Sequence, residues 1–217
     1  MAAVAESSAA NTPPFSADSG GAGVAVVGPE YCYPYTVELD MRKKAFSMSK
    51  MFDITDVSNN KLLFRVESPF SFSGKLRVVD AAGVPILTLK PKFGFSIRWQ
   101  VFRGESDHLI CSVKRSSGFR TKLKVYLPNN TTRKLCDFHL KRSFLDGPYE
   151  VYAGESKDAI LAQMHKKHTA GSFFMGYNQF MVTIHPKVDH AFIVALIVIL
   201  DAIKSRSSGG GGAGASG

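Results

Sequence analysis

The chain has only three cysteines, Cys32, Cys111 and Cys136, and a single tryptophan. The cysteines are odd in number, widely spaced and never in a C-x-x-C pair, so they suggest neither a disulfide framework nor a zinc site. Reduced, partly buried thiols in a cytoplasmic or nuclear protein are the expectation, with peripheral attachment at the plasma membrane as an extension of it. The N-terminus lacks a basic stretch followed by an apolar one, so no secretory leader is read there. The formal sequons at Asn129 and Asn130 are accordingly read as turn residues after Pro128.

Signatures of chemistry are equally scarce. There is no P-loop and no G-x-G-x-x-G. Gly94-Phe95-Ser96-Ile97-Arg98 lacks the second glycine of a nucleophile elbow, and no D-x-[DN]-x-[DN]-G calcium loop occurs. His165 and His168 have no carboxylate or cysteine close by in sequence, and the intervening Lys166 and Lys167 oppose a cation. Helix-turn-helix, zinc-finger and RNA-recognition signatures are missing, and Lys122-Lys124-Tyr126 is only a faint version of a stacking platform. The expectation is a monomeric binding protein without catalytic residues, metal or cofactor, and without direct nucleic-acid readout.

Positive charge is absent from the start of the chain: every one of the 27 basic residues comes at Arg42 or later. Glu6, Asp18 and Glu30 account for three of the 18 acidic residues, so the part from Tyr31 onward sets 27 basic against 15 acidic residues, a charge of +12. A body that basic attracts phospholipid headgroups, nucleic acid or acidic proteins, although a solvated basic surface serves solubility as well.

Residues 1–30 are rich in Ala, Ser, Gly and Pro without a hydrophobic period and are expected to be disordered, as is the Gly/Ser-rich tail 205–217. Between them, 31–204 reads as one domain. Short apolar-polar alternations recur from Asp53 to Ile184, bounded by turn signals at Val57-Ser58-Asn59-Asn60 and Asp80-Ala81-Ala82-Gly83. The clearest is Thr121 to Leu127, where Leu123, Val125 and Leu127 share one face and Lys122, Lys124 and Tyr126 the other. This spacing predicts a mainly β, antiparallel meander, closed or sandwiched.

Two stretches break the pattern. Ser156 followed by Lys157 to Lys167 has good helix formers, an early acid and late lysines, and predicts an outer helix over about 157–167. The second predicted helix, about 190–203, follows Asp189 as its cap and runs Ala191-Phe192-Ile193-Val194-Ala195-Leu196-Ile197-Val198-Ile199-Leu200. It is apolar all round, so it must be surrounded. Its apolar run ends at Asp201, short of the roughly 20 residues that span a bilayer. Protein is therefore the expected surround: a helix threaded through a closed β-barrel, with its polar ends at the two mouths.

A β-barrel around an apolar C-terminal helix resembles the Tubby C-terminal domain and the phospholipid scramblases. Tyr31-Cys32-Tyr33-Pro34-Tyr35, Arg98-Trp99-Gln100-Val101-Phe102-Arg103-Gly104, Val113-Lys114-Arg115-Ser116-Ser117 and Val188-Asp189-His190-Ala191-Phe192-Ile193 narrow the likeness to the LURP-one-related (LOR) family of plants. Val151 to Ile160 and Gln163 to Thr169 agree, so the resemblance covers Tyr31 to about Ile203. His190 and Phe144 depart from the family's usual Tyr and Trp, at positions without a settled role. The resemblance implies a closed antiparallel barrel of about 12 strands, no catalytic residues, and for some members a link to plant defence. By fold analogy with Tubby it also implies phosphoinositide headgroups held on basic barrel residues.

Basic residues two apart on a strand point the same way. Lys75 with Arg77, and Lys122 with Lys124 extended by Lys114, Arg115 and Arg120, are thus the candidate lipid or anion sites; Lys90 with Lys92 has the spacing but is interrupted by Pro91. The same faces serve equally as solubilising edges. Phosphoinositide binding, a protein-interaction or membrane-tethered regulator module without lipid affinity, and scramblase-like lipid translocation are the three functional readings.

Overall fold

The computed structural model describes residues 23–44, 50–69, 74–92, 94, 96–116, 122–143, 147–156, 158–167 and 179–208. Twelve strands follow one another: β1 (Val37–Lys43), β2 (Lys50–Asp56), β3 (Leu62–Glu67), β4 (Leu76–Asp80), β5 (Pro85–Lys92), β6 (Arg98–Arg103), β7 (Leu109–Arg115), β8 (Leu123–Tyr126), β9 (Phe138–Arg142), β10 (Tyr149–Ala153), β11 (Ile160–Lys167) and β12 (Gln179–Ile184). Each pairs antiparallel with its neighbours in sequence, and β1 closes on β12, with Leu39 opposite Val182. The result is an up-and-down barrel without a free sheet edge.

Alternation decides which way each strand faces. β12 buries Phe180, Val182 and Ile184, while Gln179, Met181 and Thr183 are half-buried. Outward positions carry Glu38, Arg42, Arg65, Lys90, Lys114 and Lys124. A membrane-spanning barrel needs an apolar outside; here the polarity runs the other way. Among the described residues no helix is long and apolar enough to cross a membrane.

The helix α1 (His190–Ser208) fills the barrel. Every residue from Ala191 to Leu200 is buried, and Phe192 packs its ring against Phe138 of β9 at 5.0 Å between centroids. The polar ends sit as expected. Asp201 emerges at one mouth, where Lys43 holds its carboxylate at 2.7 Å. Asp189 lies at the other, and its Oδ1 accepts the Phe192 N–H at 2.9 Å, the bond of an N-cap.

Three expectations need correction. Residues 157–167 are not an outer helix: Ile160–Lys167 is β11, hydrogen-bonded on both sides, with Ala162 opposite Val151 of β10 and Ile184 of β12. Helix propensity is worth only tenths of a kcal/mol per residue. A helix here would leave two ladders unpaired and the barrel open, so tertiary pairing wins. The Ser156 hydroxyl does accept N–H groups, from Asp158 and Ala159, but in a turn.

The C-terminal boundary also moves, because α1 runs on to Ser208, beyond the expected end near 203. Residues 23–30, assigned to the tail by composition, are instead seated across the Asp189 mouth. Val24 and Val27 are buried, and Val24 bridges in parallel to Val188. The Oδ2 atom of Asp189 accepts from the backbone N–H of Val26, Val27 and Gly28 at 3.1, 2.6 and 3.1 Å. Residues 1–22 and 209–217 lie outside the described residues.

One fully buried carboxylate thus holds both the helix start and the strap over it. Replacing Asp189 with alanine orphans four backbone N–H groups, each costing about 1–3 kcal/mol when left unsatisfied. Asp189→Ala should lower the unfolding free energy by ~3 kcal/mol or more in urea titration, and Asp189→Asn, which keeps an acceptor, by less. A loss under ~1 kcal/mol for the alanine variant would show that the strap and helix are held by packing alone.

Candidate functional site

Strand register, and not spacing along a strand, assembles a concentrated positive surface. Lys92 of β5 stands opposite Arg98 of β6, Arg98 opposite Lys114 of β7, and Lys114 opposite Lys124 of β8. Residues opposite one another point to the same side, so four cations form one row across the outside of four adjacent strands. At the usual strand spacing the row is roughly 14 Å long. Like charges directly opposite one another are destabilising, so the row is a standing demand for anions.

Three members of the row, Lys92, Arg98 and Lys114, line a groove of about 560 Å³ together with Ser112, Tyr126 and Arg133 among others. Arg133, at φ 50°, stacks over the Tyr126 ring at 6.0 Å. Arg98 donates from Nε to the Ser96 hydroxyl at 3.0 Å, which fixes its reach. Among the described residues, Lys92, Arg98 and Lys114 are exposed and belong to no ion pair.

The other candidates are engaged elsewhere. Arg77 is bonded to Glu105 at 2.7 Å and lies 3.9 Å from Glu67. Lys90 reaches Asp107 at 3.4 Å and covers the Phe102 ring. Lys75 and Arg115 have partners of their own, and Arg120 lies outside the described residues. Lys122 and Lys124 both turn to Glu155, at 3.8 and 2.9 Å. Of the basic residues singled out along the chain, Lys92 and Lys114 line the groove, and Lys124 follows Lys114 in the row. Arg98 is not a site candidate from the sequence because no along-strand spacing marks it and only the register does; Arg133 is not because it lies in the connection between β8 and β9 and reaches the groove through the Tyr126 ring.

The row continues past Lys124 to His139 of β9, its cross-strand neighbour. His139 lies flat on the Tyr152 ring, 4.8 Å between centroids and 6° between planes, and its Nδ1 is 2.7 Å from the Gly154 carbonyl oxygen. Burial outweighs that bond and the charge of Glu155, and holds the imidazole below its ordinary pKa, hence neutral. Beside it the Cys136 thiol donates to Glu155 Oε1 at 3.1 Å. Burial first, and that bond second, push the thiol up to about 12. His165 is exposed on β11 and does not join this cluster, and His168 lies outside the described residues.

Comparison with known proteins places this architecture. Residues 37–201 match the family model described as LURP-one-related. The Arabidopsis thaliana protein LURP-one-related 10 is 47% identical over 194 residues, covering 85% of this chain and 99% of its own. LURP-one-related 15 from the same plant is 46% identical over 199 residues, 88% of this chain and 91% of its own. Protein LURP1, also from Arabidopsis thaliana, is 42% identical over 186 residues, 82% of this chain and 89% of its own. An X-ray structure of an Arabidopsis thaliana protein superposes with a TM-score of 0.65 at 41% identity, covering 84% of this chain and 99% of that one.

Glu155 supplies a pH test of the cluster. Burial raises its pKa, but the hydrogen bonds from Lys124 and Cys136 and the charges of Lys124 and Lys122 prevail and hold it at about 2, against an ordinary 4.5. The unfolded chain therefore takes up this proton first as pH falls. The carboxylate's contribution to stability is complete above about 4.5 and disappears as pH drops towards about 2. In denaturant titrations across that window, Glu155→Gln should be less stable than the parent at pH 6 and should converge on it near pH 2. Parallel curves would show that Glu155 is not held by its lysines.

Proposed function

The chain belongs to the LURP-one-related family, and from that premise we propose that it is a binding module, without chemistry of its own, that docks on the phosphorylated headgroups of an anionic membrane. The observation that carries this reading is the row Lys92, Arg98, Lys114 and Lys124, three of whose members stand exposed without a carboxylate partner among the described residues. Phosphate oxygens are the natural guests of such a row, since guanidinium and ammonium groups give charge-assisted hydrogen bonds to them.

The same end of the barrel favours a lipid surface over a soluble anion. Around the emerging C-terminal part of α1, Lys204 covers the Tyr149 ring at 3.9 Å and Arg206 the Trp99 ring at 5.4 Å. Basic side chains laid on aromatic rings suit a headgroup boundary. Lipid translocation fits less well, because it would require the fully enclosed α1 to leave the barrel. On the family resemblance, the process served is plant defence signalling, at the cytoplasmic face of a membrane.

The test is co-sedimentation of the purified protein with vesicles of phosphatidylcholine alone, with added phosphatidylserine, and with added phosphatidylinositol bisphosphate, each at low and moderate salt. Binding should require anionic lipid and weaken steeply with salt. Arg98→Glu with Lys114→Glu should reduce it at least about tenfold, since each basic residue near a charged surface contributes about 1 kcal/mol. Lys122→Glu with Lys124→Glu should reduce it less, because both lysines already face Glu155. Equal pelleting with neutral and anionic vesicles would overturn the reading. Binding to soluble inositol phosphate but not to vesicles would make the groove a receptor for a free anion.

A further inference from the structure

At the end of the cationic row the fold brings together three side chains that electrostatics alone does not explain. Cys136 and His139, in the spacing C-x-x-H, lie at and just before the start of β9, and Glu155 lies in the turn after β10. One donor atom from each, a thiol sulfur, a ring nitrogen and a carboxylate oxygen, lies within 4.8 Å of the others. We propose that Cys136, His139 and Glu155 form a zinc site on the outside of the barrel.

The donor set selects the ion. Thiolate with imidazole and carboxylate suits zinc and its neighbours, and disfavours calcium and magnesium, which take oxygen ligands. Bond lengths of about 2.0–2.3 Å place tetrahedral ligands roughly 3.4 Å apart. The Cys136 sulfur and Glu155 Oε1 are already 3.1 Å apart, and a His139 ring nitrogen lies within 4.8 Å of donor atoms of both, so side-chain rotation without backbone movement is what a closed site requires. The frame is stiff. The His139 ring is clamped on Tyr152. Gly154, at φ +59°, turns the chain so that its N–H bonds the Asp137 carbonyl at 2.7 Å and Glu155 comes back over β9. Because Glu155 is exposed, water reaches the fourth position.

Lys122 and Lys124 oppose the ion but do not exclude it. Zinc takes the place of the thiol proton that now lies between Cys136 and Glu155, so the net charge gained is one unit. The two anionic ligands neutralise the metal, and the lysines remain as partners of the carboxylate's outer side, the kind of second layer that orients ligating carboxylates. Because the lysines cost affinity, removing Lys124 should strengthen binding.

Cobalt is the probe, because its thiolate complexes absorb in the near ultraviolet where zinc is silent. The full-length protein, kept reduced, is titrated with cobalt and then with zinc. One equivalent should raise a thiolate charge-transfer band that zinc bleaches. Cys136→Ser should abolish the band, Cys32→Ser should leave it intact, and Lys124→Met should shift the titration to lower cobalt. Glu155→Gln, an exposed change that spares the buried face, should weaken binding about tenfold or more. Thermal melts of each variant check that it is folded. Absence of a band at excess cobalt, a band that survives Cys136→Ser, or titrations unchanged by Glu155→Gln would each overturn the proposal. The test reads only the metal, so failure of membrane binding leaves it standing, and the reverse holds too.

Discussion

A helix with no polar side has to be enclosed on all sides, and the rest of this fold follows from that requirement. From Ala191 to Leu200 nothing on α1 can face water, so a sheet covering half of it would leave apolar surface exposed at the full hydrophobic penalty of about 25 cal/mol per Å². Only a sheet that closes on itself satisfies the helix, and closure demands that all twelve positions be strands, including Ile160–Lys167 against its local preference. The two ends are then the only places where the helix can meet water or polar groups. Asp189 and Asp201 stand there, each with its charge occupied, the first by backbone N–H groups of the strap and the second by Lys43.

Closure also shapes the outer surface. In a closed meander the register around the barrel is set once, and outward side chains line up in belts that cross many strands. The belt through Lys92, Arg98, Lys114 and Lys124 stacks like charge on like charge, an arrangement that a surface selected only for stability would break with an acid. An acid does appear at one end, where Glu155 takes up Lys122 and Lys124, and the remaining three cations keep their field. The Glu155 cluster and the groove are therefore parts of one electrostatic belt, one end balanced internally and the other open to a partner.

Much of the fold was legible in the order of residues. Alternation at Leu123, Val125 and at Phe180, Val182, Ile184 marks strands because the side-chain period of a strand is two, and the uninterrupted run after Asp189 marks an enclosed helix because it has no period at all. What misled was local chemistry without its surroundings. Ser156 with Ala159, Leu161, Ala162 and Met164 has the composition of a helix, and only the gap between β10 and β12 makes it a strand. Gly23 to Gly28 has the composition of a tail, and only the buried Asp189 carboxylate gives it a seat. The site was less legible still. Lys124 could be read from spacing and Lys114 only as an extension from the adjoining loop, although it lies on β7; Arg98 joins them through pairing between strands, and Glu155 meets Cys136 and His139 through a turn whose course no short motif encodes.

Because α1 comes after all twelve strands in the chain, a ribosome releases the wall of the barrel before it releases the filling. Each hairpin can zip up as it emerges, since neighbours in sequence are neighbours in the sheet, but the apolar lining then has nothing to wrap. Until the last segment arrives the nascent sheet is a hollow, adhesive surface, the kind of intermediate that draws chaperones and aggregates when left alone. A chain cut short before Ala191 would carry every surface residue of the barrel and still have nothing to bury its lining, so completion of the fold waits on the last segment to be made.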